Sequence, residues 1–398
     1  MVSEKQTDAP PLPFRTAVAH TSRDEWRGAE RVVAWVHEGG AMAASGVETG
    51  TIDFTRGVPA IESFPLEQVA ECAAAIIRGP HGATVMQYGK GAGFGPLREW
   101  LGARHGVSAD EVLLANGSLQ IVEFIALGLL QPGDVVFVES PTYDRTLTLL
   151  RRHGVRPVGI PMEADGPDLA ALEAALERGV PKLFYLIADF QNPSGATLSR
   201  AKRERIAALA EQHGFRLLED APYRPLRYRG EQLPSLADLA PARTLQMSSF
   251  TKQISPGVRV GYLVGDRATV AKLAQVANDT YITPNLIGEA TVFEFCQRGW
   301  LDPQLERLRA LYGPRLVATG DALREFLPDA SWIEPDGGFF LSINLPEGVT
   351  SEALGRRAAG VGLSLSDGRG FFPTPSDGER FLRLPFCALT PEQIAEGV

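Results

Sequence analysis

Residues 248–265 read S-S-F-T-K-Q-I-S-P-G-V-R-V-G-Y-L-V-G, with Lys252 between two strand-like apolar runs and Arg259 seven residues on. An ammonium in such a half-buried place is costly, so its pKa falls and the free amine becomes available for Schiff-base chemistry. Asp220 ends the run R-L-L-E-D-A-P-Y, where a buried carboxylate needs a partner; a cationic pyridinium nitrogen would supply one. Tyr223, three residues further, reaches the same ligand with its hydroxyl. Asn116-Gly117-Ser118 lies between a strand and an apolar helix, where a tight glycine turn, a hydroxyl and free helix N–H groups suit a phosphate. Taken alone, the turn reads more readily as a helix N-cap than as a ligand site. Tyr143 in S-P-T-Y is either a packing aromatic or a face for a flat ring, and Asn192 in Q-N-P-S-G is by itself turn chemistry.

These residues share one placement: each follows a short strand. Runs at 111–114, 135–139, 182–188 and 216–219 are β-branched or leucine-rich and each ends in turn residues, with helical stretches such as 199–213 between them. The alternation predicts an α/β fold, a large domain with a mostly parallel sheet sandwiched by helices. Ligands of such sheets bind at the carboxyl ends of the strands. After about residue 284 the pattern changes to long helices (286–298, 301–326), then G-G-F-F-L-S-I-N-L and F-L-R-L-P-F, which predicts a smaller α+β domain. The expected division is 1–60 as an N-terminal arm and part of the small domain, 61–290 as the large domain and 291–398 as the rest of the small one. A loose arm is expected over 1–20, a helix over 25–39, a strand over 51–54, and a short last helix opened by the capping box of T-P-E-Q at 390–393.

A phosphate turn, a ring-stacking aromatic, an asparagine turn, a carboxylate with a tyrosine, and then a lysine with an arginine match the needs of pyridoxal phosphate (PLP). With these motifs in view, the chain resembles a fold-type I PLP-dependent aminotransferase of class I/II, in the 2-aminoadipate/kynurenine aminotransferase-like branch. The resemblance spans nearly the whole sequence, from D-F-T-R-G-V-P through Q-Y-G-K-G-A-G-F-G-P-L-R-E-W-L and Q-N-P-S-G to F-L-R-L-P-F. It implies that Lys252 holds PLP as a Schiff base, that Asp220 faces the ring nitrogen, and that Asn192 and Tyr223 donate to the phenolic oxygen. Ser118, the Leu119 backbone, Ser249 and Arg259 match phosphate ligands; relatives often carry glutamine where Leu119 stands. Tyr143 matches the stacking aromatic. Tyr88 matches a tyrosine that reaches the neighbouring subunit's phosphate, which implies a homodimer with shared sites. Arg383 matches the arginine for the substrate α-carboxylate, and Gly57 lines the substrate mouth. The implied reaction moves an amino group from an amino acid to a 2-oxo acid, with Lys252 as the proton carrier. Lyases, racemases and oxidases on this scaffold keep the same ligand set.

Two departures bear on substrate. Arg56 stands where relatives carry a small residue; it reads either as a partner for an acidic substrate side chain or as a solvated or structural arginine. In S-D-G-R-G-F-F-P at 366–373, Asp367 and Arg369 either reshape the pocket or pair with each other.

Bulk properties agree. The 398 residues are 44% hydrophobic and 22% charged with a net charge of −9, which argues against nucleic-acid partners. The start has no apolar run, no stretch approaches a membrane span, and Cys72, Cys296 and Cys387 are isolated. No metal site is expected, and a cytoplasmic protein without membrane partners is. A dinucleotide fingerprint fails because Pro96 falls where its third glycine would be. A sensor domain fused to a DNA-binding module is disfavoured by the short, non-basic segment before residue 50.

Overall fold

The computed structural model describes residues 51–398. The arm expected over 1–20 and the helix expected over 25–39 lie outside the described residues.

An eight-stranded sheet forms the centre. Its strands are β2 (Val112–Ala115), β3 (Val135–Ser140), β4 (Arg156–Glu163), β5 (Gly166–Pro167), β6 (Leu183–Leu186), β7 (Arg216–Asp220), β8 (Thr244–Ser249) and β9 (Gly261–Val264), in the order β2-β9-β8-β7-β6-β3-β4-β5. The pairs β4–β3–β6–β7–β8 are all parallel, whereas β9 runs antiparallel to both of its neighbours. Alternate residues of the buried strands divide between two cores, as the two-residue period requires. Val136, Val138, Tyr185 and Leu218 point to one face and meet helices α3 (Ser118–Leu129) and α7 (Arg267–Tyr281). Phe137, Phe184, Leu186 and Leu217 point to the other and meet α5 (Leu169–Arg178) and α6 (Arg200–His213). Helix α6 begins at its Ser199 N-cap, whose hydroxyl accepts from the Lys202 amide.

Two smaller sheets share a third core: β1 (Ile52–Phe54) with β11 (Leu363–Leu365), and β10 (Phe340–Asn344) with β12 (Phe381–Pro385). Helix α9 (Leu301–Phe326) ties the cores together. Its first half buries Leu305, Leu308 and Tyr312 in the large core, and its second half, past Pro314, buries Leu316, Ala322 and Leu323 in the small one. The expected division at residue 290 falls inside α8 (Leu286–Gln297), whose Val292, Phe295 and Cys296 all pack in the large core. The last helix, α11 (Pro391–Gly397), carries the capping box read from T-P-E-Q.

Candidate active site

The parallel strands end on one side of the sheet, and the chemistry-bearing residues stand there. Asp220 closes β7 and is buried. Its Oδ2 accepts from the Tyr185 hydroxyl at 2.8 Å, while Oδ1 is buried without a partner. Burial pushes the Asp220 carboxyl up to about 7, against the downward pull of the Tyr185 hydrogen bond. An open acceptor in so dry a place is a built opening for a donor, and a protonated ring nitrogen fits it.

Lys252 follows β8. Its Nζ donates to the Gly57 carbonyl at 2.9 Å and stands 5.4 Å from the centre of the Phe339 ring. Burial depresses its pKa to about 8, and the charges of Arg383 and Arg56 add to the depression. The free amine, the form that acts as a nucleophile, is therefore populated from about pH 8 upward.

Arg383, on β12, is buried between two aromatic faces, 4.8 Å from the Phe340 ring centre and 4.6 Å from that of Phe371. Its Nη1 donates to Asn192 Oδ1 at 3.0 Å and its Nη2 to the Thr55 carbonyl at 2.6 Å, while Nε has no partner. Burial lowers the Arg383 pKa, which heightens its demand for an anion. Tyr223 is buried against Phe339 and Phe340, both at 5.6 Å between ring centres. Tyr143 is half-buried just before α4 (Asp144–Arg152), and burial raises its hydroxyl to about 12. Gly57 is fixed by space: a Cβ there would lie 2.2 Å from Phe340 Cζ.

The phosphate-type cradle is one compact corner. Gly117, at φ +99°, occupies the N-cap of α3 and supplies no side-chain cap, so Ser118 is the first helical residue and not the cap. Arg259 Nη2 donates to the Asn116 carbonyl at 2.6 Å, and a Cβ on Gly117 would sit 2.5 Å from that same nitrogen. Leu119 is half-buried against the core, and Ser249 Oγ accepts from the Thr251 amide at 3.0 Å. A guanidinium over an uncapped helix N-terminus is a dianion's environment.

Arg56 is exposed and has no ion pair among the described residues. Tyr88 is 73% exposed and stands apart from the cluster. The segment holding Asp367 and Arg369 resolves in favour of pairing. Arg369 grips the Asp367 carboxylate with Nε and Nη2 and reaches Glu352 at 3.0 Å, on the surface. Four contributors carried no sequence signal of their own: the Thr55 and Gly57 carbonyls, because every residue has one, and Phe340 and Phe371, because buried phenylalanines ordinarily only pack. Tyr185 looked like any strand aromatic.

A buried lysine amine, a buried carboxylate with one open oxygen, a buried arginine and a guanidinium beside a helix N-terminus stand at the strand ends of an α/β sheet. The family pattern described as "Aminotransferase class I and II" matches residues 50–398, and the chain belongs to that family; it is a PLP-dependent aminotransferase. It is 35% identical over 354 residues to 2-aminoadipate transaminase of Thermus thermophilus, covering 88% of each chain. The structure of the α-aminoadipate aminotransferase of that organism, complexed with N-(5'-phosphopyridoxyl)-L-leucine, is similar with a TM-score of 0.83 at 33% identity, over 92% of this chain and 94% of that one. A kynurenine aminotransferase from Pyrococcus horikoshii matches with a TM-score of 0.84 at 31% identity, over 88% and 89%.

Proposed function

We propose that this aminotransferase holds PLP on Lys252 and takes amino acids with an acidic side chain as donors. The observation that carries the cofactor placement is Asp220, whose Oδ1 is buried and unpartnered at the end of β7. When bound, PLP supplies an electron sink for the pair left on the substrate's Cα. Asp220 would keep the ring nitrogen protonated, and Asn192 and Tyr223 would donate to the phenolic oxygen. Ser118, Ser249, Arg259 and the Leu119 amide would hold the phosphate, and Tyr143 would stack on the ring. Arg383 takes the α-carboxylate in its planar fork and fixes the substrate's orientation. Lys252 Nζ, released from Gly57, removes the proton from Cα and returns it. The aromatic walls of Phe339, Phe340 and Phe371 exclude water around these charges.

Arg56 supports the acidic-donor reading. It lies between Thr55 and Gly57, whose carbonyls accept from Arg383 and Lys252, and its charge is felt at Lys252. The resemblance to a 2-aminoadipate transaminase points the same way. We further propose a homodimer, with Tyr88 completing the partner's phosphate site. Ile61, Leu66, Met86 and Tyr88 are each at least 67% exposed, which is apolar surface for a second copy. The large PLP-binding unit and the smaller C-terminal one divide within α9. We also propose a cytoplasmic location; no helix of the described residues is long and apolar enough to cross a membrane.

The test is the visible absorbance of the PLP-loaded protein during addition of single amino acids. Bleaching by glutamate and aminoadipate, reversed by a 2-oxo acid, is expected. Bleaching by neutral donors alone refutes the acidic preference. In Arg56→Ala, the apparent KM for acidic donors rises about fivefold, the weight of one exposed ion pair at its upper range of about 1 kcal/mol, with neutral donors unchanged.

A further inference from the structure

Asp220 does not stand alone on its face of the sheet. Tyr185, on β6, registers with Leu218 on the adjacent parallel β7, so its side chain emerges on the same face as Asp220, two residues further along. Tyr185 is completely buried. A phenylalanine would fill the same volume, and a hydroxyl taken so deep is costly unless it finds a partner. Its partner is Asp220 Oδ2, at 2.8 Å, and that contact is what separates the two carboxyl oxygens: one saturated, one open.

The other ionisable groups around Asp220 are Glu139 on β3, Tyr143 and Tyr223. Glu139 is buried and receives the Ile187 amide at 3.0 Å and Gln191 Nε2 at 3.1 Å; burial pushes it up to about 8. Burial raises both tyrosine hydroxyls. None of the three is hydrogen-bonded to Asp220, so Tyr185 is the donor that acts on it directly. It does so without bringing a positive charge that would compete with a ring cation.

We propose that Tyr185 is a positioning residue for the reaction: its hydroxyl fixes the Asp220 carboxylate so that Oδ1 faces the cofactor's ring nitrogen, and it sets how strongly the proton between them stays on the ring. The proposal rests on the assignment of Asp220 to that nitrogen. Without the phenol hydrogen bond the carboxylate is a stronger base and draws the ring proton towards itself. A ring nitrogen that loses its charge makes the Lys252-linked nitrogen easier to protonate.

The experiment is a pH titration of the bound cofactor's visible absorbance in the wild type, Tyr185→Phe, Asp220→Asn and the double variant, with PLP dissociation measured on the same proteins. Tyr185→Phe moves the midpoint upward by about one pH unit, the size of one hydrogen bond to an ionised group, and loosens PLP about tenfold. In the Asp220→Asn background the same change has no further effect on the midpoint, because the residue acts through the carboxylate. A midpoint unchanged in Tyr185→Phe, or moved as far in the Asp220→Asn background, overturns the proposal. If Asp220→Asn itself leaves the midpoint in place, the ring-nitrogen assignment fails first. Should Tyr185→Phe prove too unstable to titrate, Tyr185→His restores a donor, and a midpoint nearer the wild type than that of Tyr185→Leu is expected; equal midpoints in the two overturn it.

Discussion

Replacing Asp220 by asparagine separates what this residue costs the fold from what it does for the cofactor. Its carboxyl is raised from 3.8 to about 7 by burial. A raised folded pKa means that the native protein without PLP holds the proton more tightly than the unfolded chain. The associated stability is fully present below the unfolded value and is lost as pH rises through the window from about 4 to 7. Three pH units at 1.36 kcal/mol each give a penalty of about 4 kcal/mol at pH 8, and about 2 kcal/mol at pH 5, where only part of the window has been crossed. Asparagine keeps the shape without the charge. Denaturant unfolding of the cofactor-free proteins, at matched concentration, should therefore find Asp220→Asn more stable than the wild type at pH 8 and less so at pH 5. With PLP the order inverts, because only the carboxylate gains a cationic partner. Equal stabilities at pH 8, or a difference that does not grow between pH 5 and 8, would refute the view of Asp220 as a charge held in waiting.

The rate at which cofactor-free protein captures PLP rises through pH about 8, where Lys252 becomes neutral, and levels off above it; a flat profile from pH 6 to 9, followed at the new absorbance band, contradicts a depressed lysine. Arg383→Lys raises the KM for amino donors about a hundredfold, since a point charge replaces a planar fork held between two rings, while the cofactor's own absorbance stays as it was. Gly117→Ala strains a positive φ and drives a methyl group against Arg259, so PLP dissociates at least about tenfold more readily, measurable by equilibrium dialysis.

What the sequence displayed and what it hid follow from physical causes. Asp220 and Lys252 stood out in the sequence because a charge beside an apolar strand is an anomaly that calls for a partner, and the structure buries Asp220 and depresses the Lys252 pKa through burial. Strand β4 was not legible. Its R-P-V-G-I-P-M-E contains two prolines and a glycine, which read as turn chemistry. It forms because β5, its outer neighbour, is only two residues long and leaves most of β4 as an edge, where missing N–H groups break no ladder. The pairing of Asp367 with Arg369 was one of two open readings, and a one-turn helix from Gly368 to Phe371, capped by Asp367 itself, brings the charges together. Tyr185 stayed hidden because a hydroxyl's partner across a sheet is set by strand order, which a linear pattern does not carry.

The short segment after β1 is a clasp between the two sheets. The Thr55 carbonyl accepts from Arg383, on β12 of the smaller sheets, and the Gly57 carbonyl accepts from Lys252, just after β8 of the large one. Three consecutive residues therefore span both cores, and any tilt of that backbone shifts both hydrogen bonds at once.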